Sequence, residues 1–411
     1  MDHMLPSILA VIVVSMLAAL VSGLMLSRSG FPAPDQARRL GRIDGLRGYL
    51  ALFVLFSHFV IWLKITYIGG IWEPPPINLF NNLGAGGVAL FFMTTGFLFY
   101  PRVLKGFRQV DWVATYIARL LRIYPLLVVS FAIVFLTVLV RIDFDLRGDW
   151  VEQTRRIILW LTTYAEPPLF GYEDTGRINA FVLWSLWYEW MFYVFVLPLL
   201  AVLRDVSRDR VPSWCIPASI CVIAPLLSDM VRHPAIIRFL PLFAIGMLAY
   251  ELRARPAIAA KLATPLAAVV ACLGVSIAAT VTHSPYDYPQ VLLYGIFFIC
   301  VACDNDIFRV FSLRGALVLG ECSFAIYLLH GIVLDFLFQV ILPAIGQPMV
   351  AQMLWTMPAA TVVTVAVSGV AYLLIERPGI RAGRLLTRLA TDRFRTADTE
   401  STVAPRREAS G

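Results

Sequence analysis

The sequence predicts an all-α protein, a polytopic bundle of about eleven transmembrane helices. Of its 411 residues, 59% are hydrophobic and only 15% are charged, and the mean hydropathy is +0.76. A soluble globular chain is about 45–50% apolar and about 25% charged. Apolar runs of about 20 residues, enough to cross roughly 30 Å of hydrocarbon, recur along the chain. They are expected to be helical, because a lipid-exposed backbone must satisfy its own hydrogen bonds.

The predicted spans are 5–26, 46–66, 84–101, 120–140, 180–203, 213–230, 235–252, 263–282, 289–303, 317–341 and 353–376. The first apolar run has no basic n-region, since only Asp2 and His3 precede it, so it is interpreted as an added helix rather than a cleavable signal peptide. The chain then divides into an extra span with its linker (1–37), a membrane domain (38–378) and a polar, basic cytoplasmic tail (379–411). The tail is expected to be disordered.

Basic residues predict the orientation of this bundle. If residues 27–47 are inside and the sides alternate, 26 of the 34 Lys and Arg fall inside. The positive-inside rule expects this bias. The N-terminus is therefore predicted outside and the C-terminus in the cytoplasm, across a cell inner or plasma membrane. Arginines at an anionic leaflet account for the net charge of +7 without a nucleic-acid partner. The one large loop, 141–179, falls on the outer side.

A histidine, His58, interrupts an otherwise apolar span and is the strongest functional signal. Ionisable groups inside a bilayer are costly, so a buried one is a functional candidate. Arg47 lies eleven residues earlier, which is about three turns and about 16 Å along a helix. The two side chains therefore share a face, with the cation near one membrane surface and the base near mid-depth.

The segment that carries Arg47 and His58 is the first of five polar islands, which are short groups of polar residues in or beside the apolar spans. Four more follow it along the chain. Gly86 to Phe97 contains small residues and Thr95, which suit close helix packing as well as function. Arg119 and Arg122, at i and i+3 before Pro125, suit phosphate oxygens, although topogenic charge would also explain them.

The last two islands carry titratable groups within the membrane. Ser185 and Glu189 follow Trp184 at i and i+4 spacing, so they share a helix face. A carboxylate there needs a partner or a proton, and a structural hydrogen bond between helices is the alternative to a catalytic role. His330 follows Tyr327 in mid-span, where structure and function are equally plausible readings.

Together the five islands resemble one family in motif and order. The motifs are Arg42-x-Asp44-Gly-Leu-Arg47-Gly with His58, Phe91-Phe-x-x-Thr95-Gly-Phe97, Arg119-x-x-Arg122-Ile-x-Pro125, Trp184-Ser-Leu-x-x-Glu189 and Tyr327-Leu-x-His330. They resemble the acyltransferase family 3 membrane proteins, which include O-antigen acetylases, macrolide acyltransferases and nodulation-factor acetylases. The resemblance covers about residues 38–378. Thr95 replaces the family's usual serine, Phe324 replaces a common tyrosine, and the first span is additional.

The resemblance implies an O-acyltransferase that moves an acyl group, most often acetyl, from cytoplasmic acetyl-coenzyme A to a hydroxyl of a sugar, glycan or glycolipid. No metal is expected, and the partners would be acyl-coenzyme A, the carbohydrate acceptor and membrane lipid. The implied residues are His58, Glu189 and His330 for catalysis, Arg47, Arg119 and Arg122 for the donor, and Asp44, Thr95, Ser185, Trp184 and Tyr327 for substrate binding. His58 would act as a general base or carry the acyl group itself.

Three other interpretations are weighed against this one. A transporter or flippase of a lipid-linked sugar would suit the mid-membrane charges, but no internal repeat of the inverted-repeat kind is visible. An acyltransferase could instead modify a small intracellular metabolite such as a macrolide. A structural or receptor protein would leave the Arg, His and Glu residues unexplained.

Overall fold

A computed structural model describes residues 5–32, 40–75, 77–208, 210–230, 235–281, 286–346 and 349–402. These residues form helices and no strand, apart from one isolated bridge between Leu169 and Tyr172. The predicted all-α class is confirmed. The α-helices in these ranges are α1 Leu5–Arg28, α2 Gly41–Tyr67, α3 Asn78–Lys105, α4 Trp112–Arg141, α5 Trp150–Leu161, α6 Thr175–Ile178, α7 Leu183–Met191, α8 Leu197–Ser207, α9 Cys215–Met230, α10 Leu240–Arg253, α11 Pro256–Leu262, α12 Pro265–Val281, α13 Tyr288–Ala302, α14 Arg314–Glu321, α15 Ser323–Phe336, α16 Leu342–Ile345, α17 Val350–Leu354, α18 Met357–Ala371 and α19 Arg377–Thr402.

Shorter helical segments of other pitch join several of these helices. The 3₁₀ turns are Phe107–Gln109 and Ala235–Phe239. The π-helical segments are Phe192–Val196 between α7 and α8, Leu337–Ile341 between α15 and α16, and Tyr372–Glu376 between α18 and α19. Single π turns inside α-helices often occur at functional sites.

Seven helices within the described ranges are long and apolar enough to cross a membrane, and an eighth arises if α11 and α12, bent by 66°, form one span. The protein is therefore a multi-pass membrane protein. All eleven predicted runs contain a helix, but a count of eleven spans is not confirmed. Helices α9, α10 and α13 have 16, 14 and 15 residues. Each is shorter than the roughly 20 residues that a span needs.

The C-terminal helix α19 extends into the region 379–411, for which the sequence predicts a disordered tail. A Cβ placed on Gly379 would lie 2.3 Å from the carbonyl oxygen of Leu121, so α19 and α4 are in close contact there. The helix ends at Thr402. Disorder of the remaining residues stays a prediction, since they lie outside the described ranges.

Glycines bring α2 into backbone contact with α14 and thereby fix the helix that carries Arg47 and His58. A Cβ on Gly48 would lie 2.8 Å from the amide nitrogen of Gly320, and one on Gly320 would lie 1.9 Å from the carbonyl oxygen of Asp44. Small residues permit such close approach of membrane helices. Helix α2 also packs against α3 and α15, so it runs through the centre of the bundle.

Gly96 plays the corresponding role for α3. A Cβ on Gly96 would lie 2.0 Å from the carbonyl oxygen of Phe243 in α10, and one on Gly246 would lie 1.9 Å from that of Met93. The small residues of the island Gly86 to Phe97 therefore pack helices together, which is one of its two predicted roles.

The large loop 141–179 is ordered and anchored to the bundle. It contains α5 and α6. Arg141 pairs with Asp335 of α15 and also donates to the hydroxyl of Tyr172 over 3.0 Å. These contacts hold the loop across the end of α15.

Candidate active site

His58 and His330 form a direct pair at the centre of the bundle. Nδ1 of His58 in α2 lies 2.7 Å from Nε2 of His330 in α15, and the two rings are stacked with their centroids 5.0 Å apart. His330 is fully buried, whereas His58 is partly exposed. Two predicted catalytic residues are thus in hydrogen-bond contact.

The hydrogen bonds of this pair fix where its protons lie. Nδ1 of His330 lies 3.0 Å from the carbonyl oxygen of Ile326, which can only accept, so that nitrogen carries the proton. In neutral His330 the other nitrogen, Nε2, is then an acceptor, and Nδ1 of His58 donates to it. Neutral His58 is left with a lone pair on Nε2. Within the described residues that nitrogen has no hydrogen-bond partner.

His58 lies between two chemically different ends of the bundle. The Arg47 end is the end where α2 begins, and the Trp72 end is the end where α2 stops at Tyr67 and the chain turns to Trp72. The indole of Trp72 lies against His58, with ring centroids 5.6 Å apart. Trp72 was not predicted as a site residue.

A cavity opens at the Arg47 end. Three predicted donor-binding residues line it together, Arg47 from α2 and Arg119 and Arg122 from α4. The cavity's other lining residues are Val88, Phe91, Phe92, Thr94, Thr95, Leu98, Phe99, Ile123, Ser185, Leu186, Glu189, Tyr193, Ser323, Phe324 and Tyr327. The cavity therefore combines a cationic group with largely apolar walls.

Each arginine of the cavity has a partner that restrains it. Arg47 lies 3.7 Å from Asp44, one turn earlier on the same helix. The guanidinium of Arg119 lies over the ring of Phe99, 5.0 Å from its centroid. These contacts hold the guanidinium groups in place while their positive charge faces the cavity.

Arg122 is restrained by a carboxylate that sequence reasoning missed. It lies 3.9 Å from Glu376, whose side chain is fully buried and whose oxygens have no hydrogen-bond partner among the described residues. Glu376 ends the last predicted span, in Glu-Arg-Pro, and that position after a long apolar run was the available signal.

Glu189 belongs to the arginine cavity rather than to the histidine pair. Its Oε1 accepts hydrogen bonds from Thr95 over 3.1 Å and from the hydroxyl of Tyr193. No described contact joins Glu189 to His58 or His330. Its catalytic role stays a prediction, and Glu189 lines the same cavity as the three arginines.

Tyr327 connects the cavity with the histidine pair. It lines the cavity, its ring centroid lies 6.2 Å from that of His330, and its hydroxyl lies 2.7 Å from Oγ of Ser185. The ring of Trp184 packs against Phe92, which lines the cavity, and against Phe239. The structure therefore gives Trp184 a packing environment and leaves its predicted contact with substrate untested.

Comparisons with known proteins identify the family. The family model described as an acyltransferase domain matches residues 40–373. The chain is also similar to nodulation protein 10 of Rhizobium leguminosarum bv. viciae, with 29% identity over 176 residues. That match covers 40% of this chain and 45% of the relative, so the chain spans less than half of the relative's length. No solved structure matches.

Proposed function

Because the chain belongs to acyltransferase family 3, we propose that it is an integral membrane O-acyltransferase with acyl-coenzyme A as donor and a carbohydrate hydroxyl as acceptor. The acyl group is acetyl in the simplest case, and the acceptor is a sugar, glycan or glycolipid. The observation that carries the proposal is the contact of 2.7 Å between His58 and His330. It leaves a lone pair on Nε2 of His58, where a hydroxyl proton can be taken.

The arginine cavity is the proposed donor site. Coenzyme A carries phosphates, and arginine guanidinium groups bind phosphate oxygens through paired hydrogen bonds. Arg47, Arg119 and Arg122 supply three such groups in one cavity, and its apolar walls suit the donor's long arm. Tyr327 lines the cavity and its ring lies beside that of His330, so a thioester next to it would approach His58.

His58 then acts as the general base. As the acceptor oxygen bonds to the thioester carbonyl carbon, its proton moves to Nε2 of His58. The tetrahedral intermediate collapses, the carbon–sulfur bond breaks, and the departing thiolate takes that proton from Nε2. His330 accepts from Nδ1–H of His58 throughout, which orients the ring and stabilises its transient positive charge. Direct attack by Nε2, which would form an acyl-histidine, is the alternative that this geometry also permits.

We place the Arg47 end in the cytoplasm of a cell inner membrane, with the C-terminus, and the Trp72 end outside. The bias of basic residues supports this orientation, because 26 of the 34 Lys and Arg fall in the segments predicted on the cytoplasmic side. The donor and the acceptor would then approach His58 from opposite ends, and surface polysaccharide modification is the corresponding physiological role.

Oriented proteoliposomes test this arrangement. Radiolabelled acetyl-coenzyme A is enclosed on the Arg47 side, and a membrane-impermeant glycan acceptor extracted from the host's cell surface is supplied on one side at a time. Labelled glycan is expected only with acceptor on the Trp72 side. Product formed only with acceptor on the Arg47 side would overturn the cross-membrane arrangement and favour modification of an intracellular metabolite. Glycan movement without consumption of thioester would instead support a transporter.

A further inference from the structure

The Trp72 end of the histidine pair is covered by a cluster of aromatic rings. Trp72 contacts His58, and its ring centroid lies 5.6 Å from that of Phe181 and 5.9 Å from that of Trp62. Trp72 is only partly buried, whereas Trp62 is fully buried. Any molecule that reaches His58 from this end must therefore pass an indole face.

The segment that follows α6 forms the second wall of this cluster. The guanidinium of Arg177 lies 5.9 Å from the ring centroid of Trp62. Asn179 packs against the helix of His330, because a Cβ on Gly331 would lie 2.5 Å from its carbonyl carbon. The chain from Arg177 to Phe181 thus lies across the end of the histidine pair.

Three polar atoms in these two walls have no hydrogen-bond partner among the described residues. They are Nε1 of Trp62, Nε of Arg177 and Oδ1 of Asn179, which are two donors and one acceptor. The side chains of Trp62 and Asn179 are almost completely buried. A buried polar atom without a partner is unfavourable, because it has lost its hydrogen bonds to water, so these atoms favour a ligand that both donates and accepts.

The charges at this end favour an uncharged ligand. Arg177 pairs with Asp174 over 2.7 Å, and Lys64 pairs with Glu73 over 2.8 Å. Arg141 is likewise paired, with Asp335. At the Arg47 end, in contrast, three arginines line one cavity, and the carboxylates nearest Arg47 and Arg122 are farther away, at 3.7 and 3.9 Å. A phosphate is therefore expected at the Arg47 end and a neutral polyhydroxylated group at the Trp72 end.

We propose that Trp72, Trp62 and Phe181, with Arg177 and Asn179, form the acceptor subsite and that this subsite takes a neutral pyranose ring. The apolar face of the sugar stacks on Trp72, the unpartnered atoms bind its hydroxyls, and one hydroxyl reaches Nε2 of His58. This inference rests on the proposed function and deepens it, because it names the residues that select the acceptor.

The test measures acetyl transfer from radiolabelled acetyl-coenzyme A by protein in nanodiscs. The probes are the methyl pyranosides of glucose, galactose, rhamnose and N-acetylglucosamine, with n-butanol as a hydroxyl compound that has no ring. Trp72→Ala is expected to raise the KM for the best pyranoside at least tenfold while the donor KM changes less than threefold. Trp72→Phe keeps an aromatic face and should restore most of the pyranoside affinity.

Trp150→Ala is the matched control, since Trp150 is exposed on α5 of the large loop 141–179 and contacts Phe170 rather than the histidine pair. Its pyranoside KM should equal that of the wild type. An unchanged KM in folded Trp72→Ala protein would overturn the inference. Wild-type transfer to butanol but to no pyranoside would overturn it too, yet would leave the acyltransferase proposal standing. If no acceptor led to consumption of the thioester, both the acceptor subsite and the acyltransferase proposal would be overturned.

Discussion

Nδ1 of His58 and Nε2 of His330, 272 residues apart in sequence, lie 2.7 Å from each other. The bond from His330 Nδ1 to the carbonyl oxygen of Ile326 makes His330 the acceptor in this contact. His58 therefore presents its basic nitrogen away from His330. A nucleophile or base oriented by a second group is a recurrent arrangement in acyl transfer.

Removing His330 should impair catalysis through His58. In His330→Ala, Nδ1 of His58 loses its acceptor, so the orientation and tautomer of the His58 ring are no longer fixed. We expect kcat to fall about 100-fold or more, which approaches the loss expected when the general base itself is removed. Donor binding should persist, because the arginine cavity is untouched. Steady-state kinetics of purified variants measure both quantities. The double variant His58→Ala/His330→Ala should be no slower than His58→Ala, since residues that act as a unit are non-additive; multiplied losses would show independent roles.

Arg122→Lys should weaken donor binding while insertion stays correct. Lysine keeps the positive charge but loses the paired N–H donors of the guanidinium. Its single ammonium group cannot reproduce the contact with Glu376. We expect the dissociation constant for coenzyme A, measured by calorimetry, to rise about tenfold or more. Arg108→Lys is the control, because Arg108 is exposed at the same end and does not line the cavity. Equal binding by both variants would make Arg122 a topogenic charge.

Gly320→Ala should destabilise the fold and displace α2. The added methyl would lie 1.9 Å from the carbonyl oxygen of Asp44, which cannot move without moving α2. Overpacking of this kind costs about 1–3 kcal/mol, and it should appear as a lower midpoint of thermal unfolding with reduced activity. Gly274→Ala is the control, because its nearest neighbour is a flexible side chain at 3.5 Å. Similar stability of the two variants would show that the α2–α14 contact is loose.

Glu166 should make the stability of the large loop depend on pH. Burial raises its pKa to about 8, although the amide of Leu183 and the side chain of Asn179 oppose the shift by hydrogen bonding. A carboxyl whose pKa is raised on folding favours the folded state at low pH. Its contribution is complete below the unfolded pKa of about 4.3 and is lost as pH rises through about 8.

Thermal unfolding between pH 5 and pH 8.5 tests this sign. The midpoint of wild-type protein should fall as pH rises, and Glu166→Gln should flatten that fall. Glu152→Gln is the control, because hydrogen bonds from Arg155 and Arg156 lower the pKa of the partly exposed Glu152 to about 2. Glu152 is then ionised across the whole range. An unchanged slope in Glu166→Gln would contradict the assignment.

Periodicity and polarity predict the helices and the face shared by Arg47 and His58, since both features lie within one continuous helix. Hydropathy does not fix the span count, because it cannot separate a short helix such as α10 from the 3₁₀ turn Ala235–Phe239 that precedes it. The apolar residues of the turn and of the helix form one continuous run in the sequence, although the backbone changes direction or pitch between them.

The partners of the site residues depend on packing between distant helices, which one sequence does not encode in a visible pattern. Spacing could not show that His330 meets His58 while Glu189 lies with the arginines. Trp72 stands alone in a short loop and Glu376 ends an apolar run, so neither belongs to a periodic motif. Only the assembled bundle brings them beside the predicted residues.

Acyl transfer by His58→Ala tests the central claim most directly. The variant is purified, its insertion and coenzyme A binding are compared with wild type, and transfer of labelled acetyl to the acceptor is measured under single-turnover conditions. Without the base, the rate is predicted to fall about 10²–10⁴-fold, with donor binding within threefold of wild type because the arginine cavity is intact. Near-normal transfer by well-inserted, donor-binding His58→Ala protein would contradict the assignment of His58 as the catalytic base.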